Sequence, residues 1–189
     1  MTNGHSTIPS AATAAVVFLD LQAEIVKNNR TCEALDAHAG TLAKLAALHG
    51  LPVVASSVPP GGEYLASVLG PLPEVKPMPR MFTSAFADKA TADAIAATGR
   101  RTLVLAGVAS EIVVQRTALD ALAAGYTVFV AVDACGGVGA RTEDAAWRRI
   151  TQAGGITTSV TTFAAELAGD FSSELGGKTL DIMYETLAV

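Results

Sequence analysis

Cysteine is scarce in this chain: Cys32 and Cys135 are its two thiols in 189 residues. Two such residues make no disulfide framework, so stability has to come from a packed core. Charged residues are also few, 16% against 50% hydrophobic, a balance that excludes a disordered chain. No apolar run approaches the ~20 residues that cross a bilayer. The apolar stretch after residues 1–12 follows no basic segment and ends in Asp20, so no signal peptide is expected. A net charge of −5 excludes the basic footprint of a nucleic-acid or membrane-surface binder. Histidine is nearly absent. His38 and His49 fall on one expected helix ~16 Å apart along its axis, too far to share a metal. What is left is a cytoplasmic protein with a small-molecule partner, which local arginines could hold if it were anionic.

The length fits one domain over residues 1–189, burying roughly 70% of its unfolded surface. Residues 1–12 are expected to be loose and 172–189 to form a C-terminal tail. Apolar runs at 14–21, 52–56, around Val75, from Thr102, at 127–132 and at 156–159 predict strands. Helical patterns fill 31–49, 87–98, 110–124, 142–153 and 162–168. The alternation predicts an α/β, Rossmann-like fold: a three-layer, doubly wound parallel sheet of about six strands, ordered 3-2-1-4-5-6, with helices on both faces. Residues 57–80 are rich in Gly and Pro and predict a long functional or partner-contacting loop over the sheet edge. Beyond Gly176-Gly177, Leu180, Met183, Tyr184 and Leu187 recur at helical spacing. Such an apolar face seeks a partner, and a homo-oligomer is expected, with the tail or the 57–80 loop at an interface.

The centre of the pattern is Thr-Leu-Val-Leu-Ala-Gly-Val-Ala-Ser-Glu-Ile-Val-Val over residues 102–114. Its first half reads as a strand buried on both faces. Gly107 lets the chain turn, Ser110 is the expected N-cap, and Glu111 puts a carboxylate where the helix dipole favours one. Asp20 closes the first strand. In the 3-2-1-4-5-6 order these two strand ends are neighbours at the switch point and face one crevice. Asp20 is therefore the leading candidate for chemistry, against the plainer reading of an edge or cap carboxylate. Arg80 reads by itself as a surface cation and Val113 as core packing. Cys135 falls in a Gly-rich loop after the fifth strand, where a relocated nucleophile would be conceivable, whereas free cysteines usually pack inertly. Cys32 is expected to start a helix far from the crevice. Gly136-Gly137-Val138-Gly139 lacks the spacing of a dinucleotide fingerprint.

Residues 107–114, then Thr117-Ala118-Leu119-Asp120-Ala121 and Gly125-Tyr126, resemble the core of the isochorismatase-like hydrolases. Asp20-Leu21-Gln22 resembles the Asp-x-Gln that opens that family. Pro79-Arg80-Met81-Phe82-Thr83-Ser84-Ala85-Phe86 is similar to the segment in which its Lys precedes Ser-Ala-Phe. The likeness covers most of residues 14–170 and is closest to the small, metal-free, oligomeric branch. It implies an Asp–Lys–Cys triad falling on Asp20, Arg80 and Val113, the last two being departures. It also implies a cis peptide at Val108–Ala109 and a substrate site around Gln22, Phe86, Val108, Ala109, Ser110 and Ile112, with no metal and no cofactor. Arginine cannot shuttle a proton, and beside Asp20 it would hold the acid ionised. The expectation is a hydrolase without a Cys nucleophile that uses Asp20 for general acid/base hydrolysis. The alternatives are an inactive or binding-only member of the fold, and another acid/base enzyme acting on a secondary metabolite.

Overall fold

Six segments pair into one all-parallel sheet in a computed structural model that describes residues 8–187. They are β1 (Ala14–Leu19), β2 (Val53–Ser57), β3 (Met78–Pro79), β4 (Thr102–Val108), β5 (Thr127–Gly136) and β6 (Ile156–Thr158). Their order is β3-β2-β1-β4-β5-β6, so β1 and β4 are the neighbours from which the chain winds both ways. Every residue of these two strands is buried, which explains why both read as continuous apolar runs.

Alternate side chains of β1 serve different helical layers. Ala14, Val16 and Phe18 join the cluster containing Leu42 and Leu45 of α2 (Leu35–Leu48), Phe163 of α7 (Val160–Ala168) and Met183 of α8 (Glu174–Leu187). Ala15, Val17 and Leu19 join Ile95 of α4 (Lys89–Ala97), Ala118 of α5 (Gln115–Ala123) and Ile150 of α6 (Ala140–Gln152). The three layers follow from this period of two. Asp88 caps α4 by accepting the Thr91 N–H at 2.9 Å, and Ser159 caps α7 by accepting that of Thr162 at 3.0 Å. Gly107 is required by close approach: a β-carbon there would run into the Leu19 carbonyl oxygen and lie 2.6 Å from the Leu19 Cβ.

Several expected boundaries move. The third strand lies at Met78–Pro79, not at Val75, because Val75 donates to Leu72 O in a turn and pairing with β2 begins only at Met78. Pro79 has no N–H, which suits the sheet edge. β5 runs on to Gly136 through a register shift against β4 between Leu105 and Gly107, so Cys135 is a buried strand residue and not part of a loop. Two short helices, α1 (Ala23–Lys27) and α3 (Ala66–Leu69), lie where no helix is predicted. Gly176-Gly177 does not separate the tail. Both glycines lie inside α8, and a β-carbon on Gly176 would strike the Asp170 carbonyl oxygen. Nor is the tail stripe unpartnered: Leu180 and Met183 pack into the core beside α2 and α7, leaving Tyr184 exposed. The side chain of Leu187 lies outside the described residues, as do residues 1–7 of the segment expected to be loose. From Pro9 that segment is anchored, with Pro9 buried and Ala14 N donating to Ser10 O at 2.9 Å.

Candidate functional site

β1, β2 and β3 end side by side, and each delivers a polar side chain to the same point. Asp20 follows β1 with φ 57°, the left-handed region in which Asp is tolerated better than most residues. Its N–H donates to Ser56 O at 3.0 Å, and its own carbonyl accepts the Gln22 N–H at 2.7 Å. Ser56, from β2, donates its hydroxyl to Asp20 Oδ1 at 3.2 Å. Arg80 follows β3, held there by its N–H on Ser57 O at 2.9 Å. Its guanidinium donates Nε to Ser56 Oγ at 3.3 Å, one Nη to Asp20 Oδ2 and the other to Phe82 O. Only 1% of the Arg80 side chain and 6% of the Asp20 side chain is exposed. This is a buried ion pair with a hydroxyl closing the ring, and not the surface cation of the plainer reading.

Burial pushes the Asp20 carboxyl up to about 6, while Arg80 and the Ser56 hydroxyl pull the other way. Burial outweighs the arginine, although Arg80 does favour the ionised form in the direction expected of it. The result is a carboxyl poised near neutrality.

The pair forms the floor of an open pocket of ≈ 410 Å³. Val108, Ala109, Ile112 and Val113 supply one wall, Ile25, Asn28 and Asn29 of the α1 region another, and Val58, Met81, Phe82, Thr83 and Val138 the rest. The wall turn begins with a cis peptide between Val108 and Ala109 and continues as a π-turn, Ser110–Val114, that runs directly into α5. Val113 is buried and lines the pocket with its methyl groups.

Asp20, Arg80, Val108, Ala109, Ile112 and Val113 line this one pocket, and the other three candidates, Gln22, Ser110 and Phe86, do not. Gln22 ties down the 58–62 loop, accepting the Val58 N–H at 2.8 Å and donating to Gly62 O at 3.0 Å. Phe86 packs edge-on against Tyr126, with ring centroids 5.4 Å apart. Ser110 is not the N-cap, a position held by Ala109 without a side-chain bond; its buried hydroxyl donates to Glu143 Oε1 at 2.6 Å. Glu111 does more than meet the helix dipole. Its carboxylate accepts the Val138 N–H at 3.1 Å and the Thr142 hydroxyl at 2.5 Å, which fastens the Gly-rich turn beside the pocket. Burial opposes its charge, but these bonds hold its carboxyl below the usual range.

Neither thiol lines the pocket. Burial raises Cys135 far above the usual thiol range. Cys32 is not remote from the strand ends: its Sγ occupies the place a β-carbon on Gly136 would take, and burial, then Glu143 and Glu111, push it up to about 11. Shifts in this direction favour the protonated thiol over the thiolate. Ser56, Asn28 and Asn29 were missed from sequence. Ser56 was in reach of it, since a polar residue closing an apolar strand is the signal that singled out Asp20. Among the described residues no three His, Cys, Asp or Glu side chains are grouped to hold a metal, and no helix is long and apolar enough to cross a membrane.

A family model described as the isochorismatase domain matches residues 14–162. The chain is 30% identical over 170 residues to the probable hydrolase YcaC of Escherichia coli, covering 87% of this chain and 82% of that one. Pseudomonas aeruginosa YcaC, solved with hexane-2,5-diol and covalent acrylamide, superposes with a TM-score of 0.90 at 27% identity, over 97% of this chain and 95% of that one. The E. coli YcaC structure, reported as an octameric hydrolase of unknown specificity, gives 0.89 at 26% identity, over 96% and 91%.

Proposed function

The chain belongs to the isochorismatase domain family, and from that premise we propose a hydrolase that works without a cysteine nucleophile, with Asp20 as general acid/base. The observation that carries this is the pairing of Asp20 with Arg80 and Ser56 in the lining of a pocket to which Val113 contributes and neither cysteine does. A carboxyl near 6 is mostly ionised at neutral pH yet readily protonated, the condition general acid/base catalysis favours. Asp20 takes a proton from a water as the water oxygen bonds to the substrate's electrophilic carbon. The same proton then passes to the leaving atom as its bond to carbon breaks. Arg80 and Ser56 hold the carboxylate in place. The substrate range to screen is amides and esters, whose carbonyl carbon takes the water directly, and vinyl ethers, which a protonated Asp20 would first protonate on carbon before water adds to the cation.

The test of the non-thiol mechanism is the double variant Cys32→Ser, Cys135→Ser, assayed beside iodoacetamide-treated protein. Turnover within about threefold of the parent is expected; a loss of a hundredfold or more would restore a thiol mechanism. A second reading, a binding-only protein, is favoured by one fact: both Asp20 oxygens already accept bonds, from Ser56 and from Arg80.

We also propose that the chain is a homo-oligomer, as E. coli YcaC is octameric. In support, Met81, Phe82, Ile112 and Val138 are exposed around the pocket mouth, an apolar rim of the kind that seeks cover. Light scattering at micromolar concentration is expected to give at least a dimer mass. A monomer mass rejects assembly.

A further inference from the structure

Resting on the reading of this pocket as a substrate site, we infer that it takes an uncharged, largely hydrocarbon small molecule and rejects carboxylates. The reason lies in where the cation is. Among the described residues Arg80 is the one Lys or Arg that contributes to the pocket lining, and its guanidinium is committed on three sides, to Ser56, Asp20 and Phe82. With 1% of its side chain exposed, it has no surface to offer an incoming anion. Its charge is matched by Asp20, so the floor presents a neutral pair and not a positive field.

The walls repeat the message. Ile112, Val113, Val108, Met81, Phe82 and Val138 surround the volume with carbon. Polar contact remains at Thr83, whose hydroxyl can donate or accept, and at Asn28 and Asn29. The two asparagine amides each spend one N–H on a helix carbonyl, Glu24 O at 2.7 Å and Ile25 O at 2.8 Å, which leaves each a second N–H to donate and a side-chain oxygen to accept. Uncharged amide donors and acceptors beside a neutral pair suit a hydroxyl, carbonyl or carboxamide. A carboxylate transferred here would lose water and gain no counter-ion, the case in which burying charge is most costly. Size agrees, since ≈ 410 Å³ sits at the small end of ligand pockets and suits a ring or short chain with one polar group.

The test compares isosteres on the full chain by calorimetry at pH 7.5: cyclohexanecarboxamide and cyclohexylmethanol against cyclohexanecarboxylate. Binding of the neutral probes at least tenfold tighter than the carboxylate is expected. In Ile112→Arg, which sets a cation in the pocket lining, the preference is expected to shift toward the carboxylate by at least tenfold. Carboxylate binding equal to or tighter than the carboxamide in the parent overturns the inference, as does failure of both neutral probes to bind at millimolar concentration. These are binding measurements, so the inference stands or falls apart from turnover. Tight neutral binding with no hydrolysis would remove the catalytic proposal and leave this one in place.

Discussion

Arg80→Ala is expected to lower folding stability by about 3–5 kcal/mol, measured as the shift in urea midpoint at pH 7.5. The loss does not come from the attraction alone, because desolvating two charges offsets much of what a buried pair gains. It comes from leaving the Asp20 carboxylate buried with Ser56 as its one remaining side-chain partner. Arg80→Lys restores little, since an ammonium cannot donate in the three directions that Ser56, Asp20 and Phe82 define. The double variant Asp20→Asn, Arg80→Met removes both charges and is expected to recover at least half of the loss. The pH dependence has a definite sign. Asp20 is raised in the folded protein from 3.8 to about 6, so its contribution is most favourable below 3.8, declines as pH rises through 6 and is level above. Without Arg80 the carboxyl rises further, and the deficit at pH 4.5 is expected to be smaller than at pH 7.5. A loss below 1 kcal/mol at pH 7.5 would mean that the pair is hydrated and not buried.

What could be read from the sequence is what local pattern encodes. β1 and β4 are buried on both faces, so their apolar runs stand out without any knowledge of their neighbours, and the doubly wound order follows from alternation and handedness. Asp20 is legible for the same reason: an acid closing such a strand has to meet solvent or a partner. Arg80 is different. Its role depends on β3 pairing with β2 at Met78 and Pro79, a register set by tertiary packing across a long segment, and a two-residue strand carries no periodicity. α1 and α3, five and four residues long, are likewise too short to show a helical period, yet α1 carries the asparagines to the pocket. The tail stripe is a true helical pattern, but spacing does not say what covers each of its residues. Leu180 and Met183 find cover on α2 and α7 of the same chain, a choice between self and partner that spacing cannot make. Gln22 is the subtler case: its amide serves the loop beside the pocket, a distinction of a few ångströms that only packing decides.

Asp20→Asn is expected to lower kcat/KM by 10²–10⁴, because the amide keeps the shape and the acceptor oxygen for Ser56 but can neither take nor release a proton. The variant leaves the Arg80 charge buried against a neutral group, so its urea midpoint has to be measured alongside; rates count only where the protein is folded. The parent's pH profile separates the directions of proton transfer. With Asp20 as base toward water, kcat/KM rises with pH through about 6 and then levels, since the ionised form is the active one. With Asp20 as acid toward a leaving group in the first step, activity falls through the same value. The rising limb is the expected result, because the carboxyl is mostly ionised at neutral pH, and in Asp20→Asn that limb should vanish with the activity. Turnover that survives Asp20→Asn and is lost on thiol alkylation would move the chemistry to a cysteine. A protein that binds the neutral probes, shows no turnover with any vinyl ether, amide or ester, and loses only modest affinity in Asp20→Asn would be the binding-only member of the fold.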